Sequence, residues 1–266
     1  MTESLDVSWD LSGKTALVCG ASQGIGAACA RIFAASGARV LLLARSHDRL
    51  LEVKAQLKQA SFHETLAVDL SNHKEVKALV KEKIESTGAI HILVNNSAGP
   101  PSGQMVDATH DQMLAAFNQH VLANRLLTSL VVEGMKESNY GRIINILSTS
   151  VKAPIANLGV SNTIRGAVAN WAKTLATELG PFGVTVNNVL PGFTETPRLS
   201  SLIEEASQRQ KVSCEKLAAT WKQSIPARRF AQPHETAYAV CFLASAQASY
   251  INGINLPVDG GRTLSL

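Results

Sequence analysis

Thr15-Ala-Leu-Val-Cys-Gly-Ala-Ser-Gln-Gly-Ile-Gly26 decides how the rest of this chain is read. An apolar run, Ala16 to Cys19, stops at Gly20. Gly24 and Gly26 then open an alanine-rich helical pattern, Ala27 to Ala35. A strand that turns through glycines into a helix N-terminus binds anions: N–H groups and the helix dipole face the ligand, and absent side chains let a diphosphate come close. A glycine-rich turn alone is weak, because many tight turns need glycine for positive φ. Here a second apolar run, Ala38 to Ala44, follows the helix as a βαβ unit requires.

Outward from this stretch the same alternation continues. Strand-like runs lie near 15–19, 38–43, 64–68, 91–95, 142–147, 184–190 and 254–258. Helical patterns fall near 25–36, 47–59, 73–86, 110–136, 155–179 and 233–246. Strands apolar on both faces and alternating with helices predict an α/β fold, a doubly wound parallel sheet of seven strands with helices on both faces. No low-complexity linker or internal repeat divides the 266 residues, so 1–266 reads as one domain. The exception is 193–232, where helices near 198–210 and 214–223 interrupt the path from the strand at 184–190 to the helix at 233–246. An excursion at the carboxyl end of a strand suits a substrate lid; a surface helical hairpin gives the same pattern.

Composition narrows the function classes. Hydrophobic residues make up 45% and aromatic residues 5%, so aliphatic side chains must fill the core. The formal charge of +4 comes without a basic block, which argues against nucleic acid as a partner. The first ten residues lack a basic-then-apolar leader, and no apolar run approaches the ~18 residues of a membrane span. Cysteines 19, 29, 214 and 241 are scattered. Free thiols in a reducing cytoplasm are the expectation, and the residues suggest no metal site.

Several segments together resemble the short-chain dehydrogenase/reductase family, which works on NAD(H) or NADP(H) with a Rossmann-like fold. Gly20-Ala-Ser22-Gln23-Gly24-Ile25-Gly26 matches its glycine turn. Asp69-Leu70 matches the acidic residue that holds the adenine amino group. Leu93-Val-Asn95-Asn-Ser-Ala98 resembles the segment after the fourth strand, with Ser97 and Ala98 as departures. Gly141-Arg-Ile-Ile-Asn-Ile-Leu-Ser148 matches the fifth strand and its catalytic serine. Val184 to Thr196, with Pro191, Gly192 and Thr194, matches the sixth strand and nicotinamide loop; Ser245 to Gly261 matches the seventh strand and tail. The similarity runs in order from 11 to 263.

Coenzyme choice turns on the end of the second strand. An aspartate there would hydrogen-bond a ribose 2′-hydroxyl and repel a 2′-phosphate. This chain has Ala44, then Arg45 and Ser46. A guanidinium grips phosphate with paired hydrogen bonds and a hydroxyl adds another, so NADP(H) is expected over NAD(H).

The resemblance breaks where it implies catalysis. The family reduces carbonyls with Asn, Ser, Tyr and Lys, the last two four apart on one helix. Counting from Ser148 at the family's spacing reaches Ser161, and four further on is Arg165; the segment Val160-Ser-Asn-Thr-Ile-Arg-Gly166 holds neither Tyr nor Lys. In 110–136 the asparagine slot falls on His120, with Asn118 two residues away and about 200° round the helix and Asn124 one turn on; a slip in register would restore Asn118. The expected scheme has Ser148 and Ser161 bonding a carbonyl oxygen, Arg165 supporting charge and holding the nicotinamide ribose, and His120, which titrates near neutrality, giving the proton. Alternatively, Ser161, Arg165 and His120 are structural and the chain is a dinucleotide-binding protein with weak or no catalysis and a regulatory or binding role.

The tail and the Ser-Asn-x-x-Arg variant most resemble 3-oxoacyl-(acyl-carrier-protein) reductases, which implies a small carbonyl or acyl-thioester substrate. In 196–229 apolar residues (Leu199, Leu202, Ile203, Leu217, Trp221) mix with basic ones (Arg198, Arg209, Lys211, Lys222, Arg228, Arg229). That mixture fits an acyl groove with a cationic rim and fits a solvated helix pair equally. The helices 110–136 and 155–179 carry more small and apolar surface than one sheet face covers. Together with the family's habit, they imply a homotetramer, with a dimer as the second choice.

Overall fold

Unbroken aliphatic runs become strands buried from end to end. The computed structural model describes residues 9–265, and in it strands β1 (Thr15–Cys19), β2 (Arg39–Ala44), β3 (Glu64–Ala67), β4 (Ile92–Asn95), β5 (Gly141–Ile146), β6 (Val184–Pro191) and β7 (Asn255–Val258) form one sheet in the order β3-β2-β1-β4-β5-β6-β7. Every pairing is parallel. The expected α/β fold, doubly wound and seven-stranded, is what the chain adopts, and each strand lies within a residue or two of its expected place.

Side chains alternate across each strand, so the sheet has two cores. On one face Ala16, Val18 and Val94 pack under α1 (Gly24–Ala35), α2 (His47–Ala55) and α9 (Pro233–Ala244) through Ala27, Phe33, Leu50 and Val240. On the other, Leu17, Leu93 and Ile143 pack under α3 (His73–Thr87), α5 (Ala123–Glu137) and α6 (Gly159–Leu179) through Val76, Leu127 and Ala172. β1 and β4 are the point where chain direction through the sheet reverses, and the crevice beyond their carboxyl ends is where such folds bind ligands.

Three helices depart from their expected course, one of them only in that α2 ends at Ala55 and not near 59. The run at 110–136 is α4 (His110–Ala116) and α5 joined by a π turn over Phe117–Leu122. A π turn admits an extra residue and rotates everything after it. The helix expected from 155 starts at Gly159, because Asn157 takes φ +61° and the Asn162 side chain bonds both the N–H and the carbonyl of Ile155.

Within 193–232, α7 (Pro197–Gln210) and α8 (Cys214–Gln223) begin at Thr196 and Ser213, whose hydroxyls cap the first turns. The base of the excursion closes where Glu195 N donates to Ala231 O and Ala231 N donates to Phe193 O. Leu199, Ile225 and Phe230 form a small core of its own, against which Phe193 stacks flat on Trp221 at 4.7 Å.

Candidate active site

The glycine turn is built by close approach. Gly20 and Gly24 take φ of +61° and +56°, which side chains disfavour. A Cβ on Gly26 would lie 2.2 Å from the Gly20 carbonyl oxygen, so only glycine lets α1 start so near β1. Asn96 clamps the turn, donating from Nδ2 to the Cys19 carbonyl at 3.2 Å. Gln23, at the start of α1, offers no capping side chain, and the first turn holds no acid. Its N–H groups therefore face the crevice with the positive end of the helix dipole.

One cleft runs from this turn along the carboxyl ends of the strands. Gly20, Ser22, Gln23, Gly24 and Ile25 line its centre; Arg45, Ser46, Asp69 and Leu70 line one end; Ser148, Ser161, Arg165, Pro191, Gly192 and Thr194 line the other. At the first end Arg45 Nη1 stands 3.9 Å from Asp69 Oδ2, both well exposed. Asp69 accepts from the N–H and hydroxyl of Ser71, which hold its carboxyl below the usual range, with Arg45 adding to the effect. Ser46 precedes α2 without capping it, so its hydroxyl is free. Arg49, unremarked in the sequence, also lines this end, and its Nη1 donates to Gln23 Oε1 at 3.2 Å.

At the other end, two hydroxyls are each turned by a donor from the protein. Ser148 Oγ accepts from Ser150 N at 3.1 Å and Ser161 Oγ accepts from Arg165 Nε at 3.3 Å. With an acceptor position filled, each O–H is left to donate into the cleft. Arg165 also donates from Nη1 to the carbonyls of Ile146 and Leu147, at 3.0 and 2.8 Å. Burial, then the charge of Arg198, brings its pKa down to about 10, still cationic at neutrality.

Three expected residues stand behind the cleft wall. Gly26 supports the turn from below. Asn95 is 3% exposed and spends its Nδ2 on Asn145 Oδ1 within the sheet; its neighbour Asn96 is the one at the cleft. His120 is 5% exposed, with Nδ1 2.8 Å from Ser97 Oγ and Nε2 buried without a partner. Burial first, and then the Arg165 charge, push its pKa down to about 3. It is neutral at physiological pH, so the imidazolium expected as proton source is not its resting form. Asn118 and Asn124 do not reach the cleft either; Gln119 does. The π turn is the physical reason, since counting 100° per residue fails across it.

Of the basic residues in 196–229 only Arg198 lines the cleft, with Leu199 and Leu202 beside it. Arg229 pairs with Glu235, and Lys222 lies over the Phe230 ring. Among the described residues no three His, Cys, Asp or Glu are placed to hold a metal, no helix is long and apolar enough to cross a membrane, and the four cysteines are free.

A protein-family model described as enoyl-(acyl carrier protein) reductase matches residues 20–263. The chain is 33% identical over 261 residues to the NADPH-dependent reductase BacG of Bacillus subtilis, covering 96% of this chain and all of that one. It is 34% identical over 254 residues to the 3-oxoacyl-(acyl-carrier-protein) reductase FabG of Vibrio cholerae, covering 95% and 98%. Its fold matches the crystal structure of L-sorbose reductase from Gluconobacter frateurii, complexed with NADPH and L-sorbose, with a TM-score of 0.90 at 32% identity over 97% of this chain and all of the other.

Proposed function

Since the chain belongs to the short-chain dehydrogenase/reductase family, we propose that it is an NADP(H)-dependent oxidoreductase that reduces a carbonyl to a hydroxyl. One observation carries this reading: a single cleft joins the glycine turn and the Arg45 pocket to Ser148, Ser161 and Arg165. Bound NADPH supplies the hydride.

The remaining chemistry belongs to this chain. The N–H groups opening α1 hold the diphosphate, Arg45, Ser46 and Arg49 hold the 2′-phosphate, and Asp69 with the buried Leu70 takes the adenine. Ser148 and Ser161 donate hydrogen bonds to the carbonyl oxygen, and these strengthen as negative charge develops there. Arg165 polarises Ser161 through Nε and stabilises the same charge from behind. An alkoxide is about as basic as serine's own conjugate base, so Ser161 can pass on its proton and take another from water, without His120. Pro191, Gly192 and Thr194 wall the nicotinamide end. The excursion at 193–232 serves as substrate lid on the single domain 1–266.

The names of BacG, FabG and L-sorbose reductase support a reductase, and the NADPH named with BacG and with L-sorbose reductase supports a nicotinamide coenzyme phosphorylated at the 2′ position. Titration with NADPH and NADH, followed by a screen of 3-oxoacyl thioesters, keto-sugars and simple ketones for loss of reduced-nicotinamide absorbance, tests the reading. Coenzyme binding with no turnover across the screen would leave a dinucleotide-binding protein. The outward faces of Leu114 and Phe117, 49% and 40% exposed, support pairing of two copies across the α4–α5 surface, within a homotetramer as first choice and as a dimer second; sedimentation reads the mass.

A further inference from the structure

At the catalytic end of the cleft two guanidinium groups converge without a carboxylate between them. A Cβ placed on Gly99 would lie 3.5 Å from Arg165 Nη2 and 3.6 Å from both Nε and Nη2 of Arg198. Both cations are tethered by main-chain oxygens. Arg165 is held through Nη1 by Ile146 and Leu147, and Arg198 donates from Nη2 to Pro100 O at 2.7 Å. Among the described residues no salt bridge involves either one. Among the described residues the one acid lining the cleft, Asp69, is at the far end beside Arg45. Glu205, on the same helix as Arg198, is taken by the Ser102 hydroxyl.

Two like charges held this close repel, and the repulsion is relieved when an anion enters between them. A fork of guanidinium N–H groups fits a carboxylate with paired bonds. Gly99 leaves the space between them open, and Ser161, bonded to Arg165, is adjacent. We propose that the substrate carries a carboxylate, bound between Arg165 and Arg198 at Gly99 while its carbonyl meets Ser148 and Ser161. This rests on the reductase reading for the carbonyl, not for the anion site. The coenzyme's own phosphates have other holders, in the α1 turn and in the Arg45–Arg49 pocket.

The test pairs 3-oxo acids, from butanoate to octanoate, with their methyl esters. Each is measured as a substrate at saturating NADPH and, by calorimetry, as a ligand of the protein saturated with NADP+. The wild type is expected to favour at least one acid over its ester by tenfold or more in both readouts, as a charge-assisted hydrogen bond warrants. Arg198→Gln collapses that ratio toward one and Arg198→Lys restores part of it. Gly99→Ala collapses it too, since its methyl meets the guanidiniums at ordinary contact distance and fills the gap without removing charge. Equal affinity for acid and ester, or no acid binding anywhere in the panel, overturns the proposal. So does an Arg198→Gln change that weakens NADPH more than the acid, which would assign the pair to the coenzyme. Acid binding that depends on Arg198 without turnover keeps the anion site and removes the reductase reading; turnover without acid preference does the reverse.

Discussion

Arg165 puts Nη1 2.8 Å from the carbonyl oxygen of Leu147, where β5 has ended and Ser148 begins the next turn. The same nitrogen reaches the Ile146 carbonyl at 3.0 Å. Strand-end carbonyls buried beneath a cleft have no ladder partner, and an unsatisfied buried acceptor costs about 1–3 kcal/mol. Arg165→Met orphans both. It is expected to lower unfolding free energy by about 2–4 kcal/mol, read as a lower urea midpoint with an unchanged slope. Arg165→Lys, which keeps charge but presents one nitrogen, should fall between. A midpoint equal to wild type for the methionine variant would show that water replaces the guanidinium.

A second polar feature spans the sheet. Asn95, Asn145, Asn188 and Asn255 stand in register on β4 to β7, and each Nδ2 donates to the next Oδ1 at 2.8–2.9 Å. Removing a middle amide leaves unpaired groups on both sides, whereas removing two neighbours leaves fewer per substitution. Asn145→Leu is expected to cost about 2–4 kcal/mol, and the double variant with Asn188→Leu less than the sum of the two singles. Additive losses in denaturation would mean the amides do not act as a chain.

How far the sequence carries follows from what each feature depends on. Strands buried on both faces show as aliphatic runs, and the helices expected near 198–210 and 214–223 fall within a residue of α7 and α8, so both were legible. The side Asn95 faces was not, because the family match covers Asn95 and Asn96 alike and only strand pleating separates them. His120 was misplaced because periodicity assumes a uniform helix, and nothing in Phe117–Leu122 announces a π turn. Arg49 and Arg198 look like solvated charges on amphipathic helices. Only the tertiary approach of α2 to the glycine turn, and of α7 to Pro100, brings them to the cleft.

Acid sensitivity should carry the signature of His120. Its pKa is about 3 in the fold, held down by burial and then by Arg165, against an ordinary value near 6.5 when unfolded. Below that ordinary value the unfolded chain binds the extra proton. Stability is therefore fully present above about pH 6.5 and falls as pH drops toward 3, by up to roughly 1.4 kcal/mol per unit. His63 and His91, also lowered by burial, act in the same direction. The informative quantity is thus the difference between wild type and His120→Asn. Its slope between pH 6.5 and 4 is expected to be shallower in the variant, measured by urea unfolding at each pH. Parallel curves would mean that His120 titrates in the fold as it does in the unfolded chain.

On the proposed reading, Arg45 and Arg49, which line the same end of the cleft, both hold the 2′-phosphate and so set coenzyme preference. Arg45 is largely exposed and only 3.9 Å from Asp69, so it is loosely held and free to turn. Arg49 is steadied by Gln23 beside the glycine turn. Each charge-assisted bond to phosphate contributes about 1.5–3 kcal/mol, so Arg45→Ala or Arg49→Ala should weaken NADPH binding by roughly tenfold or more. NADH, which offers neither group a phosphate at the 2′ position, should change by less than about threefold. Ala44→Asp places a carboxylate where a 2′-hydroxyl would accept it and a 2′-phosphate would be repelled, and should shift preference toward NADH. Equal losses for both coenzymes in the two alanine variants would place the arginines on the diphosphate instead, and the 2′-phosphate assignment would fall.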